Sequence, residues 1–134
     1  MNIELILLSV FLFITIFLVV MFLVIEFNKR ELDPKLVKEA NAKIKKTSSL
    51  DPTLSLIESH KIMTNAIRTS FRNKKLNSAK MLNKVASNLK NEKEFWYYHR
   101  MRNKAAHEDD FKVKKDDAAK ARKIFQEALK TVAV

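Results

Sequence analysis

The first stretch of the chain has no polar rhythm. From Leu5 to Ile25 it reads LILLSVFLFITIFLVVMFLVI, twenty-one residues without a charge. At about 1.5 Å per residue such a helix spans roughly 31 Å, close to the hydrocarbon thickness of a bilayer. No basic residue precedes the run and no small-x-small cleavage site follows it. These features suit a retained transmembrane helix better than a cleaved signal peptide. Ser9 and Thr15, the polar residues within it, can bond back to helical carbonyls.

Beyond the run the apolar positions recur every three or four residues. Asp33-Pro34 is a helix start, with Asp as N-cap and Pro in the first turn. A short helix is expected from Pro34 to about Lys46, with a thin apolar stripe of Leu36, Val37, Ala40 and Ile44. TSSL then breaks the pattern, and Asp51-Pro52 repeats the start signal. Four helical segments follow. The first, from Pro52 to about Phe71, aligns Leu56, His60, Met63, Ile67 and Phe71 on one face. The second, from about Asn77 to Leu89, turns Leu82, Val85, Ala86 and Leu89 inward. The third, from Glu92 to His107, carries Phe95, Trp96, Tyr98, Ala105 and Ala106. The fourth, from about Asp116 to Val132, has a stripe of Ala121, Ile124, Phe125, Ala128 and Leu129, with Asp116 and Asp117 at its positive end. The connections RNKK, KNE and EDDFKVKK are short, as in an antiparallel four-helix bundle. The expected fold is all-α: a transmembrane anchor over residues 1–28, a juxtamembrane connector helix within 29–50, and a helical bundle over 51–134. A core this small would gain from dimerisation through an apolar face.

Composition narrows the chemistry. Glycine and cysteine are absent and there are two prolines. Gly-rich phosphate loops are excluded, as are disulfides, thiolate zinc sites and cysteine nucleophiles. No His-x-x-x-His or Glu-x-x-His pair has ligand spacing, so neither a metal nor another cofactor is expected. All 26 Lys and Arg follow Asn28, against 13 of the 15 acids, a net charge of +13 on that part of the chain. Such a field suits anionic partners, either nucleic acid or the headgroups of an anionic leaflet. The basic flank lies only on the C-terminal side of the apolar run. The positive-inside rule therefore expects one pass through the cytoplasmic membrane, with the N-terminus outside and the bundle in the cytoplasm.

One stretch concentrates reactive side chains: HRMRNKAAHEDD, His99 to Asp110. Arg102, Asn103 and His107 form R-N-x-x-x-H. An imidazole can take the proton of a ribose 2′-hydroxyl or protonate the leaving oxygen. An arginine fork can hold the phosphate and stabilise its developing charge. A polar neighbour can orient either group. Five positions apart is about 140° around an ideal helix. Arg102 and His107 therefore do not share one face, and a working site would need a distorted helix end or a second copy of the pair from a partner subunit.

This stretch, in the third of four helices, after an aromatic-rich turn and before Glu108 and a loop, resembles the HEPN superfamily (higher eukaryotes and prokaryotes nucleotide-binding). Its hallmark is R-x4-6-H, often with Asn, Asp or His after the arginine. RNKAAH fits that pattern. HRMRNKAAHEDDF is similar to the H-x-hydrophobic-R-N-x-x-x-H-E form of small bacterial members. The resemblance runs from Leu50 to the end of the chain and leaves out the apolar run and connector. It implies a dimeric helical domain with two motif copies meeting in a cleft. In active members the arginine and histidine carry metal-independent endoribonuclease activity. Arg102 would then polarise the phosphate, His107 would be acid or base, and Asn103 would orient. Other members bind RNA or nucleotides without cleaving them, or pair with a nucleotidyltransferase.

Accessory candidates surround the motif. His99 is either a second catalytic imidazole or, in the favoured reading, a hydrogen-bonded interior residue. Glu108 is a second accessory candidate, and His60, on an apolar stripe, reads as structural. Of Tyr97 and Tyr98, only one can point inward. Arg68, Arg72, Lys74, Lys75 and Arg100, with the KARK stretch Lys120 to Lys123, are candidate phosphate contacts or lipid-facing residues. The function these features suggest is RNA or nucleotide binding at the membrane, with RNA cleavage as its reactive form. The rival is a non-catalytic membrane adaptor that dimerises or docks onto a larger complex, and it allows Arg102 and His107 to be buried against fixed partners such as Glu108 or Asp109.

Overall fold

A computed structural model describes residues 2–28, 32–71 and 76–132, and among these every regular element is helical. The helices are α1 (Ile3–Asn28), α2 (Pro34–Lys46), α3 (Pro52–Ser70), α4 (Ser78–Ala86), α5 (Glu92–His107) and α6 (Lys115–Val132), with a 3-10 turn at Thr47–Ser49. α1 is long and apolar enough to cross a membrane, and none of its span is buried inside the protein. Its two hydroxyls are satisfied internally: Ser9 donates to the Ile6 carbonyl and Thr15 to the Phe11 carbonyl, each at 2.8 Å. A hydrocarbon environment demands such closure.

Local chemistry starts the bundle helices where the sequence expects. Asp33 accepts from the Lys35 N–H at 2.9 Å and Asp51 from the Thr53 N–H at 3.0 Å, each followed by proline at the first helical position. Asn77 accepts from the Lys80 N–H at 2.9 Å and so caps α4. These bonds satisfy donors that a helix start leaves without intrahelical partners. α4 ends at Ala86, three residues short of the expected Leu89. There Ser87 and Asn88 turn their side chains back onto the Lys84 carbonyl, an alternative to the helical ladder that these residue types favour. No described residue has positive φ, so these glycine-free turns are closed with ordinary backbone geometry.

α3 is the central element, packed against α2, α4, α5 and α6. Leu56, Met63 and Ile67 from α3 meet Phe95 from α5 and Ala121, Phe125 and Leu129 from α6 in one fully buried core. α2 belongs to the same core. Val37, Ala40 and Ile44 are buried against α3 and α6, while Leu36 is 41% exposed. The connector expected within 29–50 is therefore a fifth bundle helix. Three apolar residues suffice because α3 and α6 already present a groove to them. The buried Leu32 N–H donates to the Val132 carbonyl at 3.0 Å, which pins the entry to α2 onto the end of α6.

A polar chain crosses this packing. Arg122 donates to Ser55 Oγ at 2.8 Å, Ser55 donates to Thr47 Oγ1 at 3.2 Å, and Thr47 donates to the Ile44 carbonyl at 2.7 Å. It joins α6, α3 and the end of α2, and each buried hydroxyl both donates and accepts. Ile44→Ala should lower the stability of the full chain in detergent by about 2–5 kcal/mol, read from denaturant unfolding by circular dichroism. Leu36→Ala should stay within about 0.5 kcal/mol of wild type. Equal effects would show that α2 is not part of the core.

Candidate functional site

The site grows from the inner face of α5. Phe95, Tyr98, His99, Arg102 and Asn103 recur at helical spacing, so they lie on one side of the helix. Phe95 and Tyr98 are buried, and His99, Arg102 and Asn103 are half-buried. Tyr97 points out at 48% exposure, so the adjacent tyrosines divide as their spacing requires. The α5 stripe faces His60 of α3, itself only 4% exposed. Aromatic rings enclose the meeting point. His60 sits edge-on to Phe125 with centroids 5.3 Å apart, and Trp96 stands edge-on to His99 at 5.4 Å.

The hydrogen bonds here have a determined direction. Arg102 Nη1 lies 3.0 Å from Asn103 Oδ1. A guanidinium can only donate, so the amide oxygen faces it and the amide N–H faces His99. Asn103 Nδ2 then donates to His99 Nε2 over 3.3 Å. His99 must carry its proton on Nδ1, which donates to His60 Nε2 at 3.0 Å. His60 in turn carries its proton on Nδ1, directed at Thr64 Oγ1 at 3.4 Å, and the Thr64 hydroxyl donates to the His60 carbonyl at 2.8 Å. The order is Arg102, Asn103, His99, His60, Thr64, main chain. A second proton on either ring would set donor against donor, so both imidazoles are neutral.

Electrostatics agree with that geometry. Burial, the Arg102 charge and the neighbouring His99 push the His60 pKa down to about 3. His99 is also lowered, by burial first and then by Arg102 and Arg100. His60 is buried, His99 is half-buried, and each ring is hydrogen-bonded within the bundle. His99 has both ring nitrogens engaged, and in this arrangement it has no free lone pair for a reacting proton.

The rest of the motif faces outward. His107 is exposed at the end of α5, and its side chain makes no hydrogen bond with a described residue. Arg102 pairs with no carboxylate among the described residues, and its Nε is shielded from solvent with no acceptor. Glu108 and Asp109 are both exposed and engage neither Arg102 nor His107. Asn103 is the hinge of the arrangement, tying Arg102 to His99 and leaving His107 apart.

Among the other candidates, Arg100 is exposed. Arg68 is also exposed and donates to Ser78 Oγ at 3.2 Å. It edges a cavity of about 590 Å³ between α3 and α4, lined also by Asn65, Thr69, Phe71, Leu76 and Met81, and this cavity contains no motif residue. Arg72, Lys74 and Lys75 lie outside the described residues. In KARK, Arg122 turns in to Ser55, which leaves Lys120 and Lys123 as its exposed charges. The sequence placed His60 on the correct face but did not join it to the motif. The available signal was a lone polar ring on an apolar stripe. Comparison with protein-family models, curated proteins and solved structures returns no match for this chain.

Acid should weaken the fold through His60. The unfolded chain binds a proton on this residue below about pH 6.5, whereas the folded chain resists it until about pH 3. Stability is full above the unfolded value and falls as pH drops through that window, by up to about 1.4 kcal/mol per pH unit. Denaturant titrations of the full chain in detergent between pH 6.5 and 5 should show the slope. His60→Gln, which keeps an acceptor for the His99 N–H, should flatten it. An unchanged slope in the variant would contradict the neutral histidine pair.

Proposed function

We propose that this chain is a membrane-anchored, HEPN-like module that binds RNA or a nucleotide at the C-terminal end of α5, with metal-independent RNA cleavage as its reaction. The observation that carries the reading is Arg102: a half-buried guanidinium, oriented by Asn103, whose charge no carboxylate among the described residues answers. An unanswered arginine held in a set orientation suits a phosphate oxygen. His107, exposed on the same helix end and with no side-chain partner among the described residues, suits acid-base work. The basic flank after α1 supports a cytoplasmic bundle and a single pass.

The chemistry follows from those two groups. A base takes the proton of a ribose 2′-hydroxyl as that oxygen attacks the adjacent phosphorus. The bond from phosphorus to the 5′-oxygen breaks, an acid protonates that oxygen, and a 2′,3′-cyclic phosphate and a 5′-hydroxyl remain. Arg102 holds the phosphate oxygens while charge builds on them. The angle between Arg102 and His107 around α5 favours a homodimer in which two α5 ends meet and each copy completes the other's site.

One observation favours a second reading, the non-catalytic adaptor. The bonds from Arg102 through Asn103 and His99 to His60 give part of the motif a structural task that needs no ligand. RNA distinguishes the two. Full-length protein in detergent, incubated with labelled single-stranded RNA and EDTA, should cleave it. His107→Ala, at an exposed position, should keep its helical spectrum and lose about 10²–10⁴-fold in rate. Arg102→Lys should retain charge and lose most of the activity with the fork. Intact RNA with wild type, together with RNA affinity that neither substitution changes, would leave the adaptor.

A further inference from the structure

A second basic feature lies at the opposite end of the fold's logic, where the chain leaves α1. The groove between α2 and the last turn of α6 has a volume of about 440 Å³. Lys38 and Lys45 line it from α2 and Lys130 from α6, with Asn41 between them and Pro34 and Val37 as apolar walls. No acid lines it. Lys38 and Lys45 are seven residues apart, two turns along one side of α2. α2 carries further exposed lysines at Lys35, Lys43 and Lys46, but these lie outside the groove.

Chain length places this groove near the bilayer. The bond from Leu32 N–H to the Val132 carbonyl sets the start of α2 beside the end of α6. Only three residues lie between Asn28, the end of α1, and Leu32, and the four chain steps that join the two reach at most about 14 Å. Whatever angle the bundle adopts, this end stays within reach of the headgroup layer. Lysine ammonium groups are compact, mobile charges suited to a phosphodiester. The apolar walls suit the glycerol and first methylenes beneath it.

We propose that this groove seats the headgroup of an anionic phospholipid, with the phosphate among Lys38, Lys45 and Lys130, and thereby fixes the bundle against the leaflet. The proposal rests on α1 crossing a membrane and is independent of the RNA reading. Its test is amine footprinting of the full chain in nanodiscs of phosphatidylcholine alone or with one quarter phosphatidylglycerol. The lysines are acetylated briefly and their rates read by mass spectrometry. With phosphatidylglycerol, Lys38, Lys45 and Lys130 should react about fivefold more slowly. Lys35, Lys43 and Lys46 report the general surface potential and should slow less, and Lys84 and Lys90 should not change. Lys38→Gln should weaken the protection at Lys130, because one headgroup engages both.

Equal slowing at groove and non-groove lysines of α2 would overturn the seat and leave a diffuse attraction. Protection of the groove by single-stranded RNA in phosphatidylcholine discs, without a response to phosphatidylglycerol, would overturn it in favour of nucleic acid. A chain that stays out of the nanodiscs would overturn both the seat and the anchor on which it rests.

Discussion

A hydrogen bond between two neutral imidazoles, His60 Nε2 and His99 Nδ1, holds α3 to α5 at the level of the motif. Much of the arrangement depends on the protonation this bond requires. In an apolar surround of Phe125 and Trp96 a charged ring would lose more hydration than its neighbours return. With both rings neutral, each has one donor and one acceptor, and the direction of every bond from Arg102 to Thr64 follows. The bond also sets where Asn103 stands, and through Asn103 the guanidinium of Arg102.

The fold repeats this device. Both polar chains begin at an arginine near the surface and end on a backbone carbonyl in the interior. One runs from Arg102 through α5 to α3; the other runs from Arg122 through α3 to the end of α2. α3 takes part in both, which is consistent with its contacts to every other bundle helix. A glycine-free, disulfide-free bundle of this size has few ways to select one register among similar apolar packings. Such polar chains provide selection, because a one-turn slip would leave several more buried groups without partners. The arginines differ in consequence. Arg122 ends inside the protein's own bonding, whereas the Arg102 Nε finds no acceptor among the described residues.

The apolar helix α1 and the bundle are joined more tightly than the sequence suggests. α2 is packed into the core and tied at Leu32 to the end of α6, so the bundle cannot drift far from α1. The α5 motif and the α2 groove are separate features, built from different helices.

Much of the architecture was legible in the sequence. The uncharged run predicts α1, the two Asp-Pro pairs predict the starts of α2 and α3, and three- and four-residue spacing predicts which side of each helix is buried. These are local properties, set by rise per residue, capping and periodicity. The early end of α4 was also local but weaker, a competition between Ser87, Asn88 and the helical ladder. What tertiary structure alone decided is how the faces meet. The burial of α2 depended on a groove formed by two distant helices. The turn of Arg122 toward Ser55 crossed 67 positions, and the pairing of His60 with His99 crossed 39. Periodicity identifies the inward face of a helix, but not its rotation and register against a neighbour, which the packing of the whole core sets. For that reason the sequence could name Arg102, Asn103 and His107 as one motif, while only the fold could join the first two to an interior histidine pair and leave the third in solvent.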